Sequence, residues 1–100
     1  MEIIWTTEAE ESLTEIAMYW AERNGSSSYS EKIISEVEKL LKAISSNPFY
    51  IGRYIQKLDL YTRSILKGKF IIYFSKSDND TIEIHYFRSS KQRPIEELFS

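Results

Sequence analysis

The residues of this chain able to do chemistry lie mainly in its second half. A single histidine, His85, stands in the run TIEIHYFR, and Arg88 follows three residues later. An imidazole titrating near neutrality can act as general acid or base, and a guanidinium offers a planar fork that matches phosphate or carboxylate. Upstream, the stretch RSILKGKFIIYFSK joins Arg63, Lys67, Lys69 and Lys76 to the apolar run Phe70 to Phe74 and holds no acid. Between Arg53 and Lys76 the only acid is Asp59, and beyond His85 the chain adds Arg88, Lys91 and Arg93. Clustered cations with aromatic residues between them suit an anionic partner. The alternative is that they are solvated charges that keep strand edges from pairing with other chains. Arg63, inside a strand pattern, serves either a functional contact or a structural ion pair with a neighbouring acid. His85 is either a proton-transfer group or an ordinary surface imidazole. Tyr73, Tyr86 and Phe87 either stack bases or fill a core.

Other chemistries lack their residues. One histidine and no cysteine leave no zinc site, and the scattered DND lacks the ligand spacing of a calcium loop. GKF ahead of a strand has neither the second glycine nor the helix of a phosphate cradle, and no serine sits on a nucleophile elbow with a histidine partner. Neither a metal nor a cofactor is expected.

The positioning elements follow from periodicity. EIIWT reads as a short strand, and the following TEAE has capping-box spacing, with Thr7 as the cap and Glu10 reaching back. Ala9, Leu13, Ile16, Ala17 and Trp20 then recur at helical spacing until NGSSS, which predicts a helix over residues 8–23. Ser28 and Glu31 repeat the box, and Ile33, Val37, Leu40, Leu41 and Ile44 draw the stripe of a second helix over 29–46. The short polar linker makes the two an antiparallel hairpin. The period then changes to that of strands: YIQKLDLYTRSILKG, KFIIYFSK and TIEIHYFR, with SDND as a turn. Strict alternation in the last strand puts Ile82, Ile84 and Tyr86 on one face and Glu83, His85 and Phe87 on the other, outward one. Phe70, Ile72 and Phe74 are expected to hold the sheet to the helices. The class is therefore α+β: an N-terminal strand, an antiparallel helical hairpin, then a three-stranded antiparallel meander with the helices on one face of a curved sheet.

One hundred residues, 42% of them hydrophobic and 28% charged, fit a single domain over 1–100 with one modest core. The absence of cysteine favours a reducing cytoplasm. The run Phe70 to Phe74 is too short to cross a bilayer, and no basic flank precedes an apolar stretch at the N-terminus. The net charge of −2 conceals a division along the chain. Residues 1–47 hold four Lys/Arg against nine Asp/Glu, and residues 48–100 hold nine against six.

Four segments together resemble the RelE/ParE family of toxins from bacterial toxin–antitoxin pairs: EIIWTTEAEESL, the hairpin ending in NPFYIGR, an arginine before KFIIYF, and TIEIHYFRSSKQRP. The resemblance covers nearly the whole chain. It implies a helical hairpin on an antiparallel sheet, and an antitoxin protein that wraps the toxin in a hetero-oligomer, its acidic stretch expected over the basic sheet surface. Two activities divide the family. RelE-like members cleave messenger RNA at the ribosome without metal, and ParE-like members poison DNA gyrase. By position, Arg63 matches the arginine before the central strand, and His85 and Arg88 match the closing H..R pattern. In a ribonuclease, Arg63 and Arg88 would stabilise the scissile phosphate and His85 would move a proton. As partner-binding residues the resemblance implies Arg63, Lys67, Lys69, His85, Phe87, Arg88 and Arg93. The tail RPIEELFS lacks the tyrosine of several ribonuclease members, and Phe99 cannot transfer a proton. A ribosome binder is also usually markedly basic, because its affinity comes from neutralising phosphates. These departures favour the ParE-like branch; the alternatives are the ribosome-dependent endoribonuclease and an inactive relative that serves only as a binding module for its antitoxin.

Overall fold

A computed structural model describes residues 2–46, 52–77 and 80–98. The chain runs β1 (Glu2–Trp5), α1 (Thr7–Asn24), α2 (Ser28–Ser46), β2 (Arg53–Ile55), β3 (Leu60–Ile65), β4 (Phe70–Ser77), β5 (Thr81–Ser89) and α3 (Ile95–Leu98). The strands form one open sheet in the order β1-β5-β4-β3-β2, parallel only where β1 meets β5. The α+β class with a helical hairpin on one sheet face is as the periodicity implies.

The cap of α1 lies one residue earlier than the capping-box spacing suggests. Thr6, not Thr7, is the N-cap, and its Oγ1 accepts from the Ala9 amide at 3.1 Å. With Ala9 in the third helical position, no carboxylate is there to complete a box. The helix ends as NGSSS predicts: Gly25 takes φ +62°, and the Ser26 amide donates back to the Ala21 carbonyl, closing a Schellman motif. Only residues 25–27 separate the helices, and the buried Ser30 hydroxyl donates across to the Ala17 carbonyl. At the start of α2 the Ser27 hydroxyl reaches the Glu31 carboxylate. This again shifts the expected pairing by one residue.

The apolar stripe of α2 is buried throughout, and all five of its predicted residues join the core. From α1, Ala9 is buried while Leu13, Ile16 and Trp20 are partly covered. The sheet contributes Ile65, Phe70, Ile72, Phe74, Ile82, Ile84 and Phe87. Each such aliphatic or aromatic side chain contributes about 1.5–3 kcal/mol when taken out of water.

Two features go beyond the expected three-strand meander. The segment that alternates only loosely divides into β2 and β3 at a tight turn, where Asp59 has φ +54° and its amide donates to the Gln56 carbonyl. The exposed Tyr54 hydroxyl donates to the Asp59 carboxylate, fastening that turn. The tail folds as α3, with Glu96 and Glu97 in its first turn, and it packs on the sheet face away from the hairpin. There Leu60, Tyr73 and Ile95 form a small second core with Leu58, Ile71 and Tyr86 against it.

Candidate functional site

The outward face of the sheet is shaped by a bulge in β5. Register runs Ile72 to Phe87 and Tyr73 to Tyr86, then jumps to Phe74 opposite Ile84, so His85 has no residue across from it. One extra residue reverses the inside–outside parity of everything beyond it. Ile82 and Ile84 face the hairpin on one side of the bulge, and Phe87 faces it on the other. The strict alternation expected for β5 is therefore broken, and Phe87 is a core residue, 0% exposed, with its ring stacked on Phe70 at 5.7 Å. It cannot contact a partner from there. The bulge is held by Thr6. Its hydroxyl donates to the His85 carbonyl at 3.1 Å while capping α1, and its amide donates to the Ile84 carbonyl at 3.0 Å. One side chain thus ties the first helix to the distortion that orients His85.

His85 lies on the outward face with its Nε2 at 2.9 Å from Ser75 Oγ and 3.6 Å from Glu83 Oε1. Both contacts fall on the same ring nitrogen. A relay needs the carboxylate on one nitrogen and the hydroxyl on the other, so these three residues do not form a nucleophilic triad.

Further along the same face, Arg88 is a clasp. Its Nη2 donates to the Arg93 carbonyl at 2.8 Å, bracing the turn that Gln92 closes by accepting from the Ser89 amide at 2.8 Å. Its buried Nε has no hydrogen-bond partner among the described residues. Beside it Tyr73, 2% exposed, donates to Glu96 Oε1 at 2.9 Å and accepts from the Ile95 amide at 3.4 Å. Burial raises the pKa of the Tyr73 hydroxyl above its ordinary value, and the bond to Glu96 adds to this. The Ile95 amide and the Arg88 guanidinium act in the opposite sense. Tyr73 is thereby closed to stacking with a base, and Tyr86 meets it edge-on at 6.0 Å.

Arg63 is elsewhere. It pairs opposite Ile72, which in turn opposes Phe87, and both of those are 0% exposed in the main core. Arg63 thus lies on the hairpin side of the sheet, half-buried, whereas Arg88 opposes Ile71 on the other side. Its aliphatic stem runs across Gly52, where φ is +97° and a Cβ would come within 2.5 Å of Arg63 Cδ. Lys67 and Lys69 are exposed in the β3–β4 turn, in which Leu66, Lys67 and Gly68 all have positive φ. Arg93 is exposed at the far end, with Nε 4.0 Å from the Glu97 carboxylate. The fold therefore brings His85, Arg88 and Arg93 to one face and leaves Arg63 on the opposite one. The expected single cationic front is divided by the sheet itself. Phe99, residues 47–51 of NPFYIGR and residues 78–79 of the expected SDND turn lie outside the described residues.

Sequence reasoning missed the Thr6 anchor and the Tyr73–Glu96–Arg88 cluster. A signal existed for the second: proline followed by two acids in PIEEL is a helix-start pattern, and a helix there must land on something. Among the described residues no helix is long and apolar enough to cross a membrane.

The family model described as the ParE toxin of the type II toxin–antitoxin system parDE matches residues 3–94. The chain belongs to that family. Membership implies a toxin role and a cognate protein antitoxin as partner. No curated protein matches the chain.

Proposed function

We propose that this chain acts as a ParE-like toxin, inhibiting DNA gyrase by protein–protein contact through the outward face and the C-terminal strand β5, and that its antitoxin neutralises it. The family match supports the toxin role. What supports contact over phosphodiester cleavage is the separation of Arg63 from His85 and Arg88 by the sheet. A phosphate held by both Arg63 and Arg88 would have to be reached from both faces of one sheet, while His85 already shares its Nε2 between Ser75 and Glu83. Transition-state stabilisation requires donors converging at about 3 Å on one developing charge. The test is a gyrase supercoiling assay with antitoxin-free protein, alongside ribosome-dependent cleavage of a message. Inhibited supercoiling with intact message is expected. Uninhibited supercoiling removes the reading, and message cleavage lost in His85→Ala and Arg88→Ala would support an endoribonuclease instead.

A further inference from the structure

The outward face is not bare. Across its central strands β3, β4 and β5 lies α3, a single turn of helix from Ile95 to Leu98. One turn is far below the length at which a helix holds itself together, so α3 exists only through what it touches. It touches little. Ile95 is its one buried side chain, 2% exposed, and packs with Leu60 and Tyr73. Leu98, three positions on and able to share that helix face, is 48% exposed. The Tyr73 hydroxyl holds the turn through Glu96 and the Ile95 amide, and Arg88 Nη2 holds the chain ahead of it at the Arg93 carbonyl. The other flank of α3 is unpacked: a cleft of about 470 Å³ has Glu96 and Glu97 on one bank and Arg53, Tyr54 and Lys57 on the other.

We propose that α3 is a releasable cover over the surface that meets gyrase, and that the gyrase segment replacing it presents an apolar side chain next to a carboxylate, the pair that Ile95 and Glu96 supply in the closed form. The proposal rests on the reading that the outward face contacts gyrase. With α3 lifted, Leu60, Ile71, Tyr73 and Tyr86 form one apolar surface bordered by Arg88. With α3 down, that surface cannot be engaged. An element held by one apolar insertion and a few hydrogen bonds opens on its own within the native state, far more often than the strands beneath it. The closed form also leaves Arg88 Nε buried with no partner among the described residues, a penalty on a charged donor that opening relieves. An incoming carboxylate would accept from Nε and Nη2 together, a bidentate fork that the single Arg93 carbonyl oxygen does not provide. A chain that must open before it binds has its affinity reduced by the fraction of time it is open. The stability of α3 therefore sets how strongly the chain acts.

The full-length chain is compared with Ile95→Ala and Glu96→Ala in two measurements. Amide hydrogen exchange followed by mass spectrometry reads the cover directly. Residues 95–98 should exchange at least about 100-fold faster than β5 in wild type, and faster still in both variants, with β5 unchanged. Inhibition of gyrase supercoiling reads the consequence. Both variants should inhibit at a concentration about three- to tenfold lower than wild type, because loosening α3 raises the open fraction toward one. An excess of a synthetic peptide of residues 91–98, KQRPIEEL, should return the Ile95→Ala chain toward the wild-type value by reoccupying the face. Glu96→Ala removes a partly exposed carboxylate and its bond to Tyr73, so it carries the test if Ile95→Ala destabilises the main core. Weaker inhibition by variants whose β5 amides stay protected overturns the cover, because α3 would then belong to the contact itself. Inhibition by wild type that neither variant strengthens removes the cover alone, as does exchange of residues 95–98 as slow as that of β5. No inhibition by any of the three chains removes the gyrase reading and the cover with it.

Discussion

Truncating Phe87 tests the bulge on which the outward face depends. Strict alternation would put Phe87 at the surface, where removal of a side chain changes stability by about 0.5 kcal/mol or less. In the fold it is 0% exposed, opposite Ile72 and stacked on Phe70 with ring planes only 8° apart. Ile72 and Phe70 are themselves 0% and 2% exposed and sit on a hydrogen-bonded strand, so they cannot collapse into the space a missing ring leaves. Phe87→Ala should therefore cost about 3–5 kcal/mol, out of a stability of roughly 5–15 kcal/mol for a domain. At about 4–8 °C per kcal/mol for a chain near this size, the melting midpoint should fall by roughly 12–40 °C. Phe87→Leu keeps much of the volume but loses the stacked pair, itself about 0.5–1.5 kcal/mol, and should fall between wild type and Phe87→Ala. Urea and thermal unfolding followed by far-ultraviolet circular dichroism measure all three. A loss below about 0.5 kcal/mol for Phe87→Ala, together with a larger one for Tyr86→Ala, would mean that β5 has no bulge at His85 and that the assignment of residues to its two faces is reversed.

Gly52→Ala should cost on the order of 2–4 kcal/mol, because it combines a left-handed backbone with a Cβ driven against the Thr62 carbonyl, and a thermal melt unchanged within a degree would contradict this. Thr6→Ala removes the α1 cap and the anchor on the bulge carbonyl together. It should lose about 1–2 kcal/mol in denaturant titration, while Thr7→Ala should be nearly neutral. The raised pKa of Tyr73 means the fold favours its neutral hydroxyl, so its contribution is complete below the ordinary tyrosine value near 10 and is lost as pH climbs through the higher folded value. Tyr73→Phe should cost about 1–2 kcal/mol at neutral pH and flatten the alkaline limb of the stability profile; an alkaline limb as steep as that of wild type would refute that role. His85→Ala should reduce gyrase inhibition by no more than about tenfold, the scale of one surface contact, whereas a proton-transfer role predicts a loss of about 100-fold or more in the reaction it serves.

The sequence alone determined the helical hairpin, its stripe on α2, the Gly25 stop and the α+β class, because these depend on local periodicity and on backbone preferences of single residues. It also supplied the likeness to the toxin family, carried by short segments spread over most of the chain. Tertiary structure alone decided which face each candidate residue occupies. A period of two extends a strand's pattern indefinitely, but one unpaired residue at His85, fixed by a hydroxyl 79 positions away in sequence, reverses it and sends Phe87 inward. For the same reason Arg63 and Arg88 read as neighbours in a basic half yet stand on opposite sides of the sheet. The seat of α3 was equally hidden, since it draws Leu60 from β3, Tyr73 from β4 and Arg88 from β5. No pattern within one segment records a surface assembled from three.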